Sequence, residues 1–95
     1  MNIRKREERN RKVVLYRLGL EDGIQHTLFE SALKFDLSIN QIYRIERDIL
    51  TRIHEFLSDE TQTQEEAAKV FGFTPYQVTA IMELPFKQKV QEAEG

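Results

Sequence analysis

The spacing of apolar residues predicts an all-α fold, a five-helix domain within 95 residues. Apolar side chains recur at three- and four-residue intervals, and no stretch alternates with the period of two that a half-buried strand needs. The only two Pro and four Gly stand where a helix should start or stop. Four Ser/Thr-x-x-Glu/Gln signatures, at Thr27, Ser38, Thr63 and Thr74, mark four helix starts. In each, the N-cap hydroxyl and the acceptor three residues on can satisfy one another's backbone N–H groups.

The elements follow in order. Residues 4–18 form a first helix whose apolar face includes Val14, Leu15 and Leu18, and Gly19 closes it because Gly enters the left-handed C′ conformation without strain. Leu20-Glu21-Asp22-Gly23 is a turn, and a helix opens at Thr27. From Ser38 to about Leu57, Ile42, Ile45, Ile49, Ile53 and Phe56 are spaced 3, 4, 4 and 3 apart. They make one continuous stripe about 27–30 Å long. Polar residues 58–62 link it to two shorter helices, about 63–71 and 75–83. Pro75 takes the first helical position, where its missing N–H costs nothing. The tail from Pro85 is expected to fray. Organisation divides into residues 1–57 and a second helical hairpin, residues 58–95.

Composition narrows the functional classes. With no Cys and only His26 and His54, the chain offers no disulfide and no metal cluster. The longest apolar run, Val13 to Tyr16, is far short of the roughly 20 residues of a membrane span. No apolar stretch follows the basic start, so a signal peptide is not expected and the expected compartment is cytoplasmic. The net charge of −2 hides a gradient. Residues 1–17 carry seven basic and two acidic side chains, a net +5, leaving seven basic and fourteen acidic, a net −7, on the rest. A basic arm on an acidic body suits a polyanion at one end and solvent or a protein elsewhere; a merely solvated basic helix fits the arm as well.

Two stretches carry the spacing of a helix-turn-helix. That hairpin needs a small residue where the helices cross, a residue tolerating the left-handed region in the turn, and apolar residues that lock the second helix. Ala32, Asp36, Leu37, Ile42 and Ile45 meet these needs at offsets 0, 4, 5, 10 and 13. Ala68, Gly72, Phe73, Val78 and Ile81 repeat the same offsets. Many helical hairpins share this spacing without touching DNA, so the outward residues discriminate. The first unit presents Asn40, Gln41, Tyr43, Arg44, Arg47 and Asp48, and Asn, Gln and Arg are the side chains that read base edges. The second presents Tyr76, Gln77, Thr79 and Ala80 amid Asp59, Glu60, Glu65, Glu66 and Glu83, which repel phosphate. It is therefore expected to pack or to contact protein.

Residues 11–23, Arg-Lys-Val-Val-Leu-Tyr-Arg-Leu-Gly-Leu-Glu-Asp-Gly, are similar to the helix and turn that open region four of bacterial RNA polymerase sigma factors, and the resemblance runs over residues 8–54. Residues 27–38, Thr-Leu-Phe-Glu-Ser-Ala-Leu-Lys-Phe-Asp-Leu-Ser, are similar to the family's Thr-Leu-Glu-Glu helix and turn. Ile42-Tyr-Arg-Ile-Glu46 stands where the family has Ile-x-Gln-Ile-Glu. The resemblance implies that the recognition helix reads the promoter −35 element, with Asn40, Gln41, Tyr43, Arg44 and Arg47 at base edges. It also implies that a hollow lined by Leu18, Leu20, Leu50 and Ile53 grips the flap of the polymerase β subunit. Plain core packing is the competing reading for those four. The family's Arg-Glu-Arg is here Ile39-Asn40-Gln41 and its Arg-Gln pair is Tyr43-Arg44. Either the preferred DNA differs, or base reading is lost and the polymerase face kept.

The leading expectation is a stand-alone sigma-region-four-like transcription factor that binds double-stranded promoter DNA and the β flap. Arg4, Lys5, Arg6, Arg9, Arg11, Lys12 and Thr27 would hold phosphates and set register. No counterpart of sigma region two is expected within the 95 residues, and a separate protein is expected to supply it. The alternative is an adaptor or antagonist that binds polymerase or sigma with little DNA affinity; a third reading is a dimeric repressor. An enzyme, a cofactor, a metal, a membrane and a small-molecule substrate are not expected. No nucleophile set or glycine-rich phosphate loop is present, and Glu65-Glu66 suits a helix's first turn.

Overall fold

The computed structural model describes residues 3–84, with side chains from Lys5 onward. The tail from Pro85 and the side chain of Arg4 lie outside the described residues. The described chain is all-helical: α1 (Ile3–Leu18), α2 (Leu28–Phe35), α3 (Ile39–Leu57), α4 (Gln64–Phe71) and α5 (Pro75–Glu83). All four expected capping boxes form, each with the N-cap side chain accepting the N3 backbone N–H and the N3 side chain accepting in return.

Gly19 ends α1 at φ 68°, and the Leu20 N–H donates to the Leu15 carbonyl at 2.9 Å, the six-to-one bond that satisfies an orphan helix-end carbonyl. Glycine is required there twice over. A Cβ on Gly19 would stand 2.7 Å from the carbonyl carbon of Ile24, because the loop doubles back over the helix end. Backbone and side-chain bonds fix that loop. His26 N–H donates to the Arg17 carbonyl at 3.1 Å, and Arg17 Nη1 donates to the His26 carbonyl at 2.7 Å. The His26 ring stacks on Tyr16 with centroids 3.8 Å apart, and Tyr16 meets Phe35 edge-on, tying α1 to α2.

The two hairpins, α2–α3 and α4–α5, run in one register, offset by 36 residues without a gap. Asp36 and Gly72 both adopt the left-handed conformation, at φ 57° and 79°. In the first hairpin the N–H groups of Asp36 and Leu37 converge on the Ala32 carbonyl; in the second those of Gly72 and Phe73 converge on Ala68. Between residues 27–45 and 63–81, six of nineteen positions are identical: Thr27/Thr63, Glu30/Glu66, Ala32/Ala68, Phe35/Phe71, Gln41/Gln77 and Ile45/Ile81. Each is a cap or a buried or half-buried position.

Packing runs through α3, which contacts α1, α2 and α4, while α5 packs on α4. The core contains Val13, Val14, Leu15, Ile42, Ile45, Leu50, Ile53, Phe73, Val78 and Ile81 together with three small alanines. Val13 joins the expected α1 face. Three consecutive buried positions sweep about 200° of helix, so the second half of α1 is enclosed on more than one side. The second hairpin docks on the first. Phe71 meets Phe56 edge-on at 5.8 Å, and a Cβ on Gly72 would come within 2.8 Å of Arg11 Cδ. Among the described residues no helix is long and apolar enough to cross a membrane.

Candidate nucleic-acid interface

The isoleucine stripe turns the other face of α3 outward. Ile42 and Ile45 are buried, and between and beside them Ile39, Asn40, Gln41, Tyr43 and Arg44 are exposed, with Arg47 half-buried. Successive turns place Asn40 with Arg44, and Ile39 with Tyr43 and Arg47, in two adjoining rows. The Arg47 guanidinium lies 5.8 Å from the Tyr43 ring centroid, which holds both side chains along the helix. The first turn of α3 contains no acidic residue.

Gln41, expected both in the cap of α3 and among the base-facing residues, takes its place in the cap. Its side-chain carbonyl accepts the Ser38 N–H at 2.8 Å, completing the cap of α3. A bidentate grip on adenine uses the amide's acceptor and donor together. In this arrangement one of the two lone pairs of the amide oxygen is already used, and Gln41 serves the frame. Thr27 is likewise an N-cap: its hydroxyl oxygen accepts the Glu30 N–H at 3.0 Å, and Glu30 Oε1 accepts the Thr27 N–H at 2.8 Å. That backbone bond, aided by His26 nearby, lowers the Glu30 carboxyl from its ordinary value.

The basic residues do not form one surface. Arg17 Nε stands 3.0 Å from Glu46 Oε1, so this arginine is spent on tying α1 to α3. Further back, Glu7, Glu8 and Arg11 of α1 share a groove of about 330 Å³ with Asp48, Ile49 and Arg52 of α3 and with residues 69–72. The two helices are therefore antiparallel. Residues 7–11 of α1 lie beside Asp48, Ile49 and Arg52, with Arg52 about 12 Å along the axis from Arg44. Lys5, Arg6 and Lys12 are exposed; Lys12 pairs with Glu8 at 3.8 Å, Arg9 donates to Asn10, and Arg11 runs under Gly72. Arg44 and Arg47 are the cations the fold places in the first half of α3.

The four residues assigned to a polymerase hollow separate into two pairs. Leu50 and Ile53 are core side chains, 6% and 0% exposed, and present almost no surface. Leu18 and Leu20 are half-buried against the core. Two i, i+4 partners on the outside of α2, Phe29 and Leu33, are 60% and 68% exposed. Sequence reading missed this pair, although Phe29 and Leu33 flank the buried Ser31 and Ala32. Burial raises the Glu46 carboxyl above its ordinary value, opposed by the charges of Arg17 and Arg47.

Among the described residues no group of three or more His, Cys, Asp or Glu side chains could hold a metal ion. Compared with known proteins, the chain matches no family model, no curated protein and no solved structure.

Proposed function

We propose that the chain is a sigma-region-four-like transcription factor: the first half of α3 reads promoter DNA, and the fold meets RNA polymerase. One observation carries the reading. The left-handed turn at Asp36, with Ala32 buried at the crossing, leaves Asn40, Tyr43 and Arg44 outside the core on a helix start that bears no acid. Asn and Arg at that spacing suit adenine and guanine edges in a groove wide enough for one helix. The exposed cations of α1, being set further along α3, suit phosphates flanking the bases read. Polymerase contact, presumed from the resemblance to region four, falls on Leu18 and Leu20, since Leu50 and Ile53 have packing roles.

Selection of duplex DNA from a random pool by the full chain, alone and with core polymerase, tests this reading. An enriched motif is expected, with affinity falling linearly against the logarithm of salt concentration. Arg44→Ala should weaken the selected site about tenfold, the loss typical of one base-reading arginine. Recovery of no motif under either condition would overturn the DNA-reading role.

The second reading, an adaptor working by protein contact, is favoured by the charge of the second hairpin. Residues 58–84 carry Asp59, Glu60, Glu65, Glu66 and Glu83 against Lys69 alone. The position equivalent to Asn40 is Tyr76, 78% exposed. Polymerase binding without DNA enrichment would select this reading.

A further inference from the structure

We infer that Ile39 and Tyr43 form an apolar contact for the C5-methyl groups of thymine, making this helix a reader of thymine methyls beside the bases met by Asn40 and Arg44. The inference rests on the DNA-reading proposal and names what that same surface recognises. Ile39 is 45% exposed and Tyr43 40%, one helical turn apart on a row adjoining Asn40 and Arg44. Single apolar side chains on a surface need no explanation. Two in one row, among the polar groups of a helix start, are a different matter.

Neither the cap nor the core accounts for Ile39, and Tyr43 beside it keeps an exposed ring edge while Arg47 lies over its face. Ser38 and Gln41 complete the cap, and Ile42 and Ile45 fill the core, so Ile39 serves neither task. The second hairpin provides an internal control. Its residues at the same register are Pro75, which suits the first helical position on conformational grounds, and Thr79, whose hydroxyl bonds back to Pro75 and Gln64. The frame thus tolerates other residues at both positions, and only the first hairpin carries an apolar pair. Charge identifies the occupant. Arg44 and Arg47 flank the pair, the first turn holds no acid, and a cationic surround favours a polyanion over an apolar protein helix. On the major-groove edge of DNA the only methyl group is that of thymine.

The test uses the full chain and the duplex it selects, with deoxyuridine replacing thymine at one position at a time, which deletes the methyl and nothing else. Expected is a loss of about fourfold in affinity at one or two positions, the value of burying one methyl-sized group. Ile39→Ala should erase the thymine–uracil difference at one of them while helicity and binding to the rest of the site persist. Equal affinity for uracil at every position would overturn the inference and leave the DNA-reading proposal standing. So would a thymine preference that survives both Ile39→Ala and Tyr43→Ala. Failure to select any duplex would overturn both.

Discussion

Arg17 and Glu46 show how one ion pair can remove a charge from a count. In the sequence Arg17 adds to the basic arm, but in the fold its guanidinium faces a largely buried carboxylate 3.0 Å away. Burial raises Glu46, and Arg17 opposes the rise. A raised carboxyl contributes stability below its unfolded value and loses it as pH rises through the folded one. Arg17→Met should therefore cost about 2 kcal/mol at neutral pH, where Glu46 is left charged without its partner. The cost should shrink as pH falls toward about 4, where carboxyls protonate. Urea melts at both pH values check this, and a cost independent of pH would count against it. Glu30 and Asp59 act in the opposite sense. The Thr27 and Thr61 N–H groups lower them, so their contributions are present above the unfolded values and fade as pH falls through the folded ones. Glu46→Gln should isolate these two by removing the opposing slope.

At the scale of the helix and its ends, much of the fold was legible. Caps are local chemistry, so Thr27, Ser38, Thr63 and Thr74 announce their helices within four residues. Asp36 could be assigned the left-handed turn because few other residue types accept it. Less legible was what the caps withhold, since Gln41 satisfies both the pattern of a base reader and that of a capping residue. Leu50 stood outside the isoleucine stripe and proved to be core, because α3 meets partners on more than one side. Ser38→Ala should lower stability by about 1 kcal/mol, the usual worth of a helix cap, measured by denaturant titration. The two glycines of the first loop should separate sharply. Gly23 has positive φ but open space, so Gly23→Ala should cost about 1 kcal/mol. Gly19→Ala adds a clash with loop backbone and should cost about 3 kcal/mol.

Across the whole molecule, contacts distant in sequence were the hardest to foresee. Nothing local states that Phe71 will meet Phe56 or that Gly72 will cover Arg11, so residues 58–84 could be read as a separate hairpin. Their packing against α3 and α1 predicts joint unfolding. Thermal melts followed by helicity and by tyrosine environment should give coincident single transitions. Phe71→Ala should lower both together, by about 2–3 kcal/mol for a partly buried ring. Two separated transitions would show that the hairpins fold independently. The sense of α1 against α3 was equally unreadable, and it decides that residues 7–11 lie beside Asp48, Ile49 and Arg52 instead of beside the start of α3.

The 36-residue register has a consequence for how such a chain can change. Every identity between the hairpins is a cap or a packed position, while Asn40 and Tyr76, or Arg44 and Ala80, share an address and differ in content. Architecture and vocabulary therefore reside on separate atoms. Substitutions at Tyr76 or Glu83 can rewrite what the second hairpin touches without altering a bond that folds it. One scaffold can in this way carry two outward surfaces whose residues change independently of the frame and of each other.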